Sequence, residues 1–592
     1  MEARDEARSG TLLPASQFGS VVFFSLLIAF VCAPIWAVDA FVPQDGPAHV
    51  QSASYMLGLL THDPAVAQRL VLNSFALPNS SGHWLLALLL TFVSPLTATK
   101  VLATLTSAGL IAAFGFLRRA TVGREGMKTS LLVGAAVSYN WLWLCGLSNF
   151  LIGVIGVAVA IGLFHKWRGA LTARRVLLLS LVVLLVYLSH LVAFAVLAAA
   201  LVLLAAAEPP PERRRASLGA LVGLAPAGLC AALYQMAPSH AGERLFPVWR
   251  RLAEPLSFGS WLFHIRTADP FILISRRCFP FVAAPSAWFV AFTPLLWLLA
   301  ALAALAMGTL GSGERPWRSR TGVALTAIAG ACLLAAAVGP DDFGTSHGTL
   351  LRERLVLLGM AFLVPLFRGG DSSRTSRLAQ VCLAVIVVFQ GAACWEYALR
   401  SSVDAREVLA VGDIVGKEPS LASVIVLEDG RRFHSNPAAQ MSNFLAIGRR
   451  TIVWDNYELG YDLFPVVAAR PEDRAFILAF TSVSVFDQEE ASADAEARFS
   501  KLEACLSANH EKIATILLWR RDSRVEALLA RWYESEPFVT RGRVRLFRRR
   551  ADRVSDAELQ ENSTAARSRG PREPRDRSAA AWAGAVRTSP RG

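Results

Sequence analysis

The chain has 592 residues, 54% of them hydrophobic, and a mean hydropathy of +0.42, which excludes a soluble domain of ordinary composition. Its formal charge of +13 calls for no nucleic acid, because the arginines gather in short loops between apolar runs. The eight cysteines form no CxxC pair and fall mostly in or beside those runs, as small core residues rather than a disulfide framework or zinc site.

Residues 1–18 read as a cytoplasmic N-terminus. Apolar stretches near 20 residues, long enough to cross a bilayer, then recur from residue 19 to residue 397. The first, Phe18 to Val38, is longer than a signal-peptide core and reads as an uncleaved anchor. Residues 39–95 follow as a first outer loop, opening with Phe41-Val-Pro-Gln-Asp-Gly-Pro-Ala-His-Val50. Gly46 and Pro47 favour a turn into a helix, which places Asp45 at the N-cap with its carboxylate held by free backbone N–H groups. His49, four residues on, shares that helix face. Asp45 and His49 then form an acid–base or metal-binding pair at the membrane surface, or Asp-Gly-Pro is only a helix cap. His83 begins the short apolar segment Gly82–Thr91, which reads as an interfacial or re-entrant helix.

About eleven crossings are expected, near 19–38, 96–117, 129–147, 148–164, 176–189, 190–206, 217–234, 286–307, 321–338, 353–367 and 378–397. This division puts all the basic loops on one side: Arg118, Arg119, Arg124 and Lys128; Lys166, Arg168, Arg174 and Arg175; Arg213 to Arg215; Arg315, Arg318 and Arg320; Arg368, Arg374 and Arg377. The short loops near 147 and 189 carry none, as the positive-inside rule requires. His190 lies at the tip of the hairpin that splits 176–206. A second outer loop, 235–285, interleaves arginines with Trp249, Trp261 and Phe271, a pattern suited to a phosphate-lipid surface. Asp341 and Asp342 open a further outer loop, and Arg352 and Arg354 flank the next span. Arg354, entering that span, either snorkels or holds an anion such as a lipid phosphate.

Residues 399–550 change to soluble composition. Ser423–Glu428, Thr451–Asp455, Phe476–Phe480 and Thr515–Trp519 read as strands, 491–509 and 523–535 as helices, and Phe538–Arg548 as a closing hairpin. The expectation is an extracytoplasmic α/β domain, followed by a disordered tail over 551–592. The fold class is thus an α-helical polytopic membrane protein, residues 19–398, with a C-terminal α/β domain.

A long first outer loop with Asp45 just after the first span, the Asp-Gly-Pro-Ala-His run, many short crossings and an outer C-terminal domain together resemble GT-C class membrane glycosyltransferases. That class includes protein O-mannosyltransferases and the aminoarabinose transferase of lipid A. Gly146-Leu-Ser-Asn-Phe150 and Asp455-Asn-Tyr-Glu458 also resemble segments of bacterial relatives. The resemblance implies a transferase in the bacterial inner membrane. It would move a sugar from a polyprenyl phosphate to an envelope glycan, lipid or protein acceptor. Asp45 would be the catalytic base or the ligand of a divalent metal, magnesium or manganese. His49, His83, His190, Asp341, Asp342, Arg352 and Arg354 complete the candidate set. One departure is plain: the next outer loop, Tyr139–Asn149, lacks the second acid common in the class, so either His49 or the Asp341/Asp342 pair substitutes or the chain is not a standard transferase. A transporter of lipid-linked glycans or solutes would place polar residues through the mid-depth of the spans, where few occur. A non-catalytic envelope scaffold or sensor would make the spans mere anchors.

Overall fold

The computed structural model describes residues 15–74, 77–236, 298–306, 319–339, 350–367, 374–427, 436–449, 451–487 and 492–550. Asp341, Asp342, the 235–285 loop (apart from its first two residues), most of the 286–307 span and the 551–592 tail lie outside them.

The membrane part is helical. Its elements are α1 (Ala15–Trp36), α2 (Gly46–Leu60), α3 (Pro64–Ala67), α4 (Ser81–Leu90), α5 (Pro95–Thr121), α6 (Met127–Ser138) and α7 (Trp141–Leu144). Then come α8 (Ser148–Trp167), α9 (Ala173–Ser189), α10 (Leu191–Ala206), α11 (Pro210–Gln235), α12 (Arg320–Val338), α13 (Leu351–Leu363) and α14 (Arg374–Leu409). Among the described residues, six of these (α1, α5, α8, α11, α12 and α14) are long and apolar enough to cross a membrane. The chain is a multi-pass membrane protein. The run 176–206 does divide at His190 into α9 and α10, and α4 is a 10-residue helix, too short to cross. The stretch expected to cross at 129–147 does not run through. Asn140 accepts a hydrogen bond from the Trp143 N–H at 2.9 Å and starts the separate turn α7, so α6 ends at Ser138.

Among the described residues, the ends of the basic loops contact one another. Arg118 donates to the Phe367 carbonyl at 2.6 Å, and Arg168 donates to Thr321 at 2.8 Å while pairing with Glu208. At the opposite end Ser80 N–H donates to the Leu188 carbonyl at 2.8 Å, and Asp45 N–H to the Cys145 carbonyl at 3.0 Å.

α14 runs unbroken past residue 398 into the C-terminal domain. There, six strands make one mixed sheet in the order β3-β2-β6-β8-β7, with β5 also on β2: β2 (Ser420–Leu427), β3 (Ile452–Val453), β5 (Val485–Asp487), β6 (Thr515–Trp519), β7 (Val539–Arg541) and β8 (Val544–Arg548). β2, β3, β5 and β6 are parallel, and β8 closes antiparallel on β6. α15 (Gly412–Val415), α16 (Pro471–Val483), α17 (Ser492–Asn509) and α18 (Ser523–Leu529) complete it. Phe476–Phe480, expected as a strand, lies in α16. Pro471 and the acids Glu472 and Asp473 start the helix, and Phe476, Ile477, Phe480 and Val483 form its buried stripe.

The loop after α1 and the domain share one core. Tyr55, Met56, Val66 and Leu70 of the loop pack with Val424, Trp454, Phe476 and Ile516 of the domain. β1 (Leu70–Leu72) pairs antiparallel with β4 (Val466–Ala468). The segment after β3 is held by Asp455, which accepts from Ser423 N–H at 3.2 Å, from the Ser423 hydroxyl and from the Ser442 hydroxyl at 2.8 Å. Asp455→Ala strands those buried donors and should cost at least about 2 kcal/mol. The purified protein should unfold at a visibly lower temperature, while Asp455→Asn, which keeps one acceptor, should lose less.

Candidate active site

Asp45 stands at the N-cap of α2, but its carboxylate makes no capping hydrogen bond. Pro47 at the helix start leaves fewer N–H groups to satisfy, and the Asp45 backbone sits near αR rather than in the extended cap geometry. The carboxylate is turned instead to the Gln44 amide, which donates at 3.3 Å, and to the Tyr457 hydroxyl. It is only half-buried, as is Tyr457. The expected cap is therefore not how this side chain is used.

The loop after α6 braces Asp45 from behind. Gln44 and Asp45 N–H groups donate to the Leu144 and Cys145 carbonyls at 2.9 and 3.0 Å. Gly146 follows with φ +88, and a Cβ there would lie 3.0 Å from Gly46 N and 3.1 Å from Asp45 N. Only glycine suits both the backbone conformation and the close approach.

His49, one turn into α2, is buried. Its Nε2–H donates to the Gly146 carbonyl at 3.0 Å, and its Nδ1 contacts Glu458 Oε1. His83, on α4 and wholly buried, places Nε2 3.0 Å from Glu458 Oε2 and 3.2 Å from Oε1. Two loop histidines thus converge on one carboxylate of the C-terminal domain. Glu458 is itself fully buried, in the short 3-10 turn Tyr457–Gly460. Asn456 fixes that turn: its side chain accepts from Glu458 N–H at 3.1 Å and donates to Gln51 of α2 at 2.7 Å.

The electrostatics follow from burial and pairing. Burial pushes the Asp45 carboxyl up to about 6, with the neighbouring His49 charge pulling the other way. Burial disfavours a charged His49, but the Glu458 carboxylate outweighs it and raises the imidazole above its ordinary value. Burial likewise opposes ionisation of Glu458, yet the two histidines hold it well below the usual carboxylate range.

A second group lies beside the first. His190 caps α10, its Nδ1 accepting from Val192 N–H at 3.2 Å. Its ring packs edge-on to Phe150 at 5.2 Å, and the buried Arg354 guanidinium lies 5.7 Å from the same Phe150 ring. Arg352 donates to the Gly339 carbonyl at 2.9 Å, a local brace. The two groups meet through the first turn of α8. Phe150 serves the Arg354 side, while Asn149 serves the His83 side, accepting from Gly82 N–H at 2.6 Å. Ser81 also donates to Ser189 at 2.8 Å.

His49, His83 and Glu458 present ligand atoms within 4.8 Å of one another, a spacing that could hold a metal ion. Asp45 is not in that group. Two imidazoles and a carboxylate are a donor set for zinc-class ions rather than for magnesium. Glu458 was absent from the sequence-based site, and the only signal for it was the Asp455-Asn-Tyr-Glu458 run.

No family model matches the chain, and no curated protein matches it. Among solved structures, the apo crystal structure of ArnT from Cupriavidus metallidurans aligns over 90% of this chain and 98% of that one, at 12% identity and a TM-score of 0.38. The functional reading below rests on side-chain geometry.

Gly146→Ala should displace the Asp45 backbone, at a cost of about 1–3 kcal/mol for the left-handed φ alone. Thermal unfolding of the purified variant should show a drop, whereas Gly123→Ala, at φ +107 with open space around it, should show the smaller conformational cost only.

Proposed function

We propose that this protein is a membrane glycosyltransferase that moves a sugar from a polyprenyl-phosphate donor to a cell-envelope acceptor at the outer face of the bacterial inner membrane. The observation that carries it is the partly buried carboxylate of Asp45, which makes no capping hydrogen bond, is backed by buried charge and is braced by the Leu144–Gly146 loop and the Tyr457 turn. A helix cap would spend that carboxylate on the backbone. A scaffold has no use for a carboxyl raised to about 6.

In the proposed reaction Asp45 takes the proton from an acceptor hydroxyl. The acceptor oxygen forms its bond to the anomeric carbon as the bond from that carbon to the phosphate oxygen breaks. The electron pair leaves on the lipid phosphate, whose negative charge the Arg354 guanidinium offsets. The Tyr457 hydroxyl and Gln44 amide hold Asp45 toward its open side. The basic loops face the cytoplasm and the C-terminal domain faces out. With the native thiols removed, Ser507→Cys in the exposed part of α17 should label in intact cells with a membrane-impermeant maleimide; labelling only after lysis would reverse this orientation.

Envelope lipids and glycans from cells lacking the chain should miss one sugar that the wild-type protein restores. Asp45→Asn should not restore it, at unchanged membrane abundance, because losing a general base costs about 10²–10⁴-fold in rate. The base works ionised, so the wild-type rate should fall as pH drops through about 6. A fully active Asp45→Asn protein would sink the assignment.

Arg354 is tested by binding of a polyprenyl phosphate to purified protein. A bidentate guanidinium contact predicts weakened binding in Arg354→Lys and near-complete loss in Arg354→Ala. Wild-type affinity in Arg354→Ala would remove Arg354 from the site.

A further inference from the structure

We propose that Lys100, Asp39 and Arg406 form a headgroup site for one phosphatidylethanolamine molecule, in the leaflet at the Asp45 end of the bundle. Three helices reach that place: α1 has just ended, α5 is in its second turn and α14 is near its end. Trp36 marks the membrane boundary. Its indole N–H donates to the Thr104 hydroxyl at 2.9 Å, yet the residue stays 48% exposed. Trp395, near the end of the apolar run of α14, is 42% exposed. Exposed tryptophans at the ends of apolar spans are the mark of headgroup level.

The charges lie at that level. Lys100 stands one turn before Thr104 on α5. Its ammonium is 5.7 Å from the centre of the Trp36 ring and donates to the Val38 carbonyl. Arg406 approaches the same stretch from α14, with its Nε 3.8 Å from the Asp39 carboxylate. That pair is loose: the two side chains are 61% and 77% exposed, and such a contact in water holds little. The Asp39 carboxylate also acts on the Lys100 charge. Two cations thus share one exposed carboxylate.

This set of charges selects the ligand. A plain anionic headgroup suits the cations but is repelled by Asp39. Phosphocholine offers both signs, but its quaternary ammonium has no N–H to donate. Phosphoethanolamine brings a phosphate for the cations and a primary ammonium, with three donors, for the carboxylate. Its acyl chains have a seam to lie along. Phe30 of α1 packs against Gly391 of α14, where an added Cβ would lie 2.9 Å from the ring, and Phe30 and Val388 remain exposed. The chain leaving Asp39 is pinned to α14, since Ala40 N–H donates to Ser402 at 3.3 Å and the Tyr397 hydroxyl to the Val42 carbonyl. The lipid covers the exposed end of that joint, upstream of Asp45. It uses none of the residues of the transferase reading and does not depend on it.

The full chain, delipidated in detergent, is tested by native mass spectrometry against phosphatidylethanolamine, phosphatidylcholine and phosphatidylglycerol with identical acyl chains. One phosphatidylethanolamine should be held more tightly than either other lipid, and it should raise the unfolding temperature. Lys100→Ala and Arg406→Ala should each lower its affinity about fivefold, the effect of one basic charge near a lipid surface. Asp39→Asn should erase the preference over phosphatidylglycerol. Arg354→Ala should bind phosphatidylethanolamine as the wild type does; loss there would move the lipid to the Arg354 group and overturn the proposal. Equal retention of the three lipids would overturn it and leave two snorkelling cations. Tighter binding of phosphatidylglycerol, or an unchanged preference in Asp39→Asn, would overturn it as well. The order of the three lipids on the wild-type protein decides the matter even where a variant fails to fold. No readout here uses sugar transfer, so failure of the transferase assignment would leave these results standing on their own.

Discussion

A carboxylate with no exposure, held between two imidazoles, is the interaction on which the arrangement depends. A charge taken out of water is costly unless it is paired, and removing one partner of such a pair commonly costs about 3–5 kcal/mol. Glu458 can therefore stay ionised only while α2 and α4 keep both histidines against it. The converse also holds. The histidines are positioned only while the domain is docked, so the loop after α1 and the domain constrain each other through one buried charge. The shared apolar core of Tyr55, Met56, Leu70, Trp454 and Phe476, with the β1–β4 pair at its edge, supplies the burial that offsets the desolvation.

The same segment of the domain reaches several ways in four residues. Asp455 binds back into its own sheet through Ser423 and Ser442, and Asn456 reaches Gln51 of α2. Tyr457 meets Asp45, and Glu458 takes the two histidines. Only Tyr457 and Glu458 lie in the 3-10 turn; Asn456 is its N-cap, and Asp455 stands before it. Each contact also has a structural role, so substitutions here will combine docking and site effects unless read with a probe specific to one of them.

How far the chain could be read without coordinates follows the range of each signal. Six of the expected spans, those of α1, α5, α8, α11, α12 and α14, were legible because hydropathy is local and membrane thickness fixes its length. The split at His190 and the grouping of the loops followed from charge, and the contacts of Arg118 and Arg168 agree with that grouping. Asp45 was legible as a motif and does stand at the N-cap, yet its carboxylate bonds Gln44 and Tyr457 rather than the helix backbone. Phe476–Phe480 misled because a short apolar run has no period of its own; its flanking Pro471, Glu472 and Asp473 held the answer. Glu458 lies 409 residues from His49, and no local pattern announces such a contact.

The acid-free loop after α6 has a different part in the site. That loop, Tyr139 to Asn149, contributes backbone rather than charge: carbonyls at 144, 145 and 146 hold Gln44, Asp45 and His49. The carboxylate near Asp45 comes from the C-terminal domain instead, and it raises the Asp45 carboxyl while its histidine partner lowers it. A second acid in direct contact with Asp45 would compete for protons. One held behind His49 acts through a cation, so its negative charge is largely cancelled before it reaches Asp45. The membrane bundle by itself thus offers a carboxylate without a defined electrostatic setting, and the domain completes it. The sheet is joined to the bundle through that shared core, with Tyr55 and Met56 packed against Trp454 and Phe476.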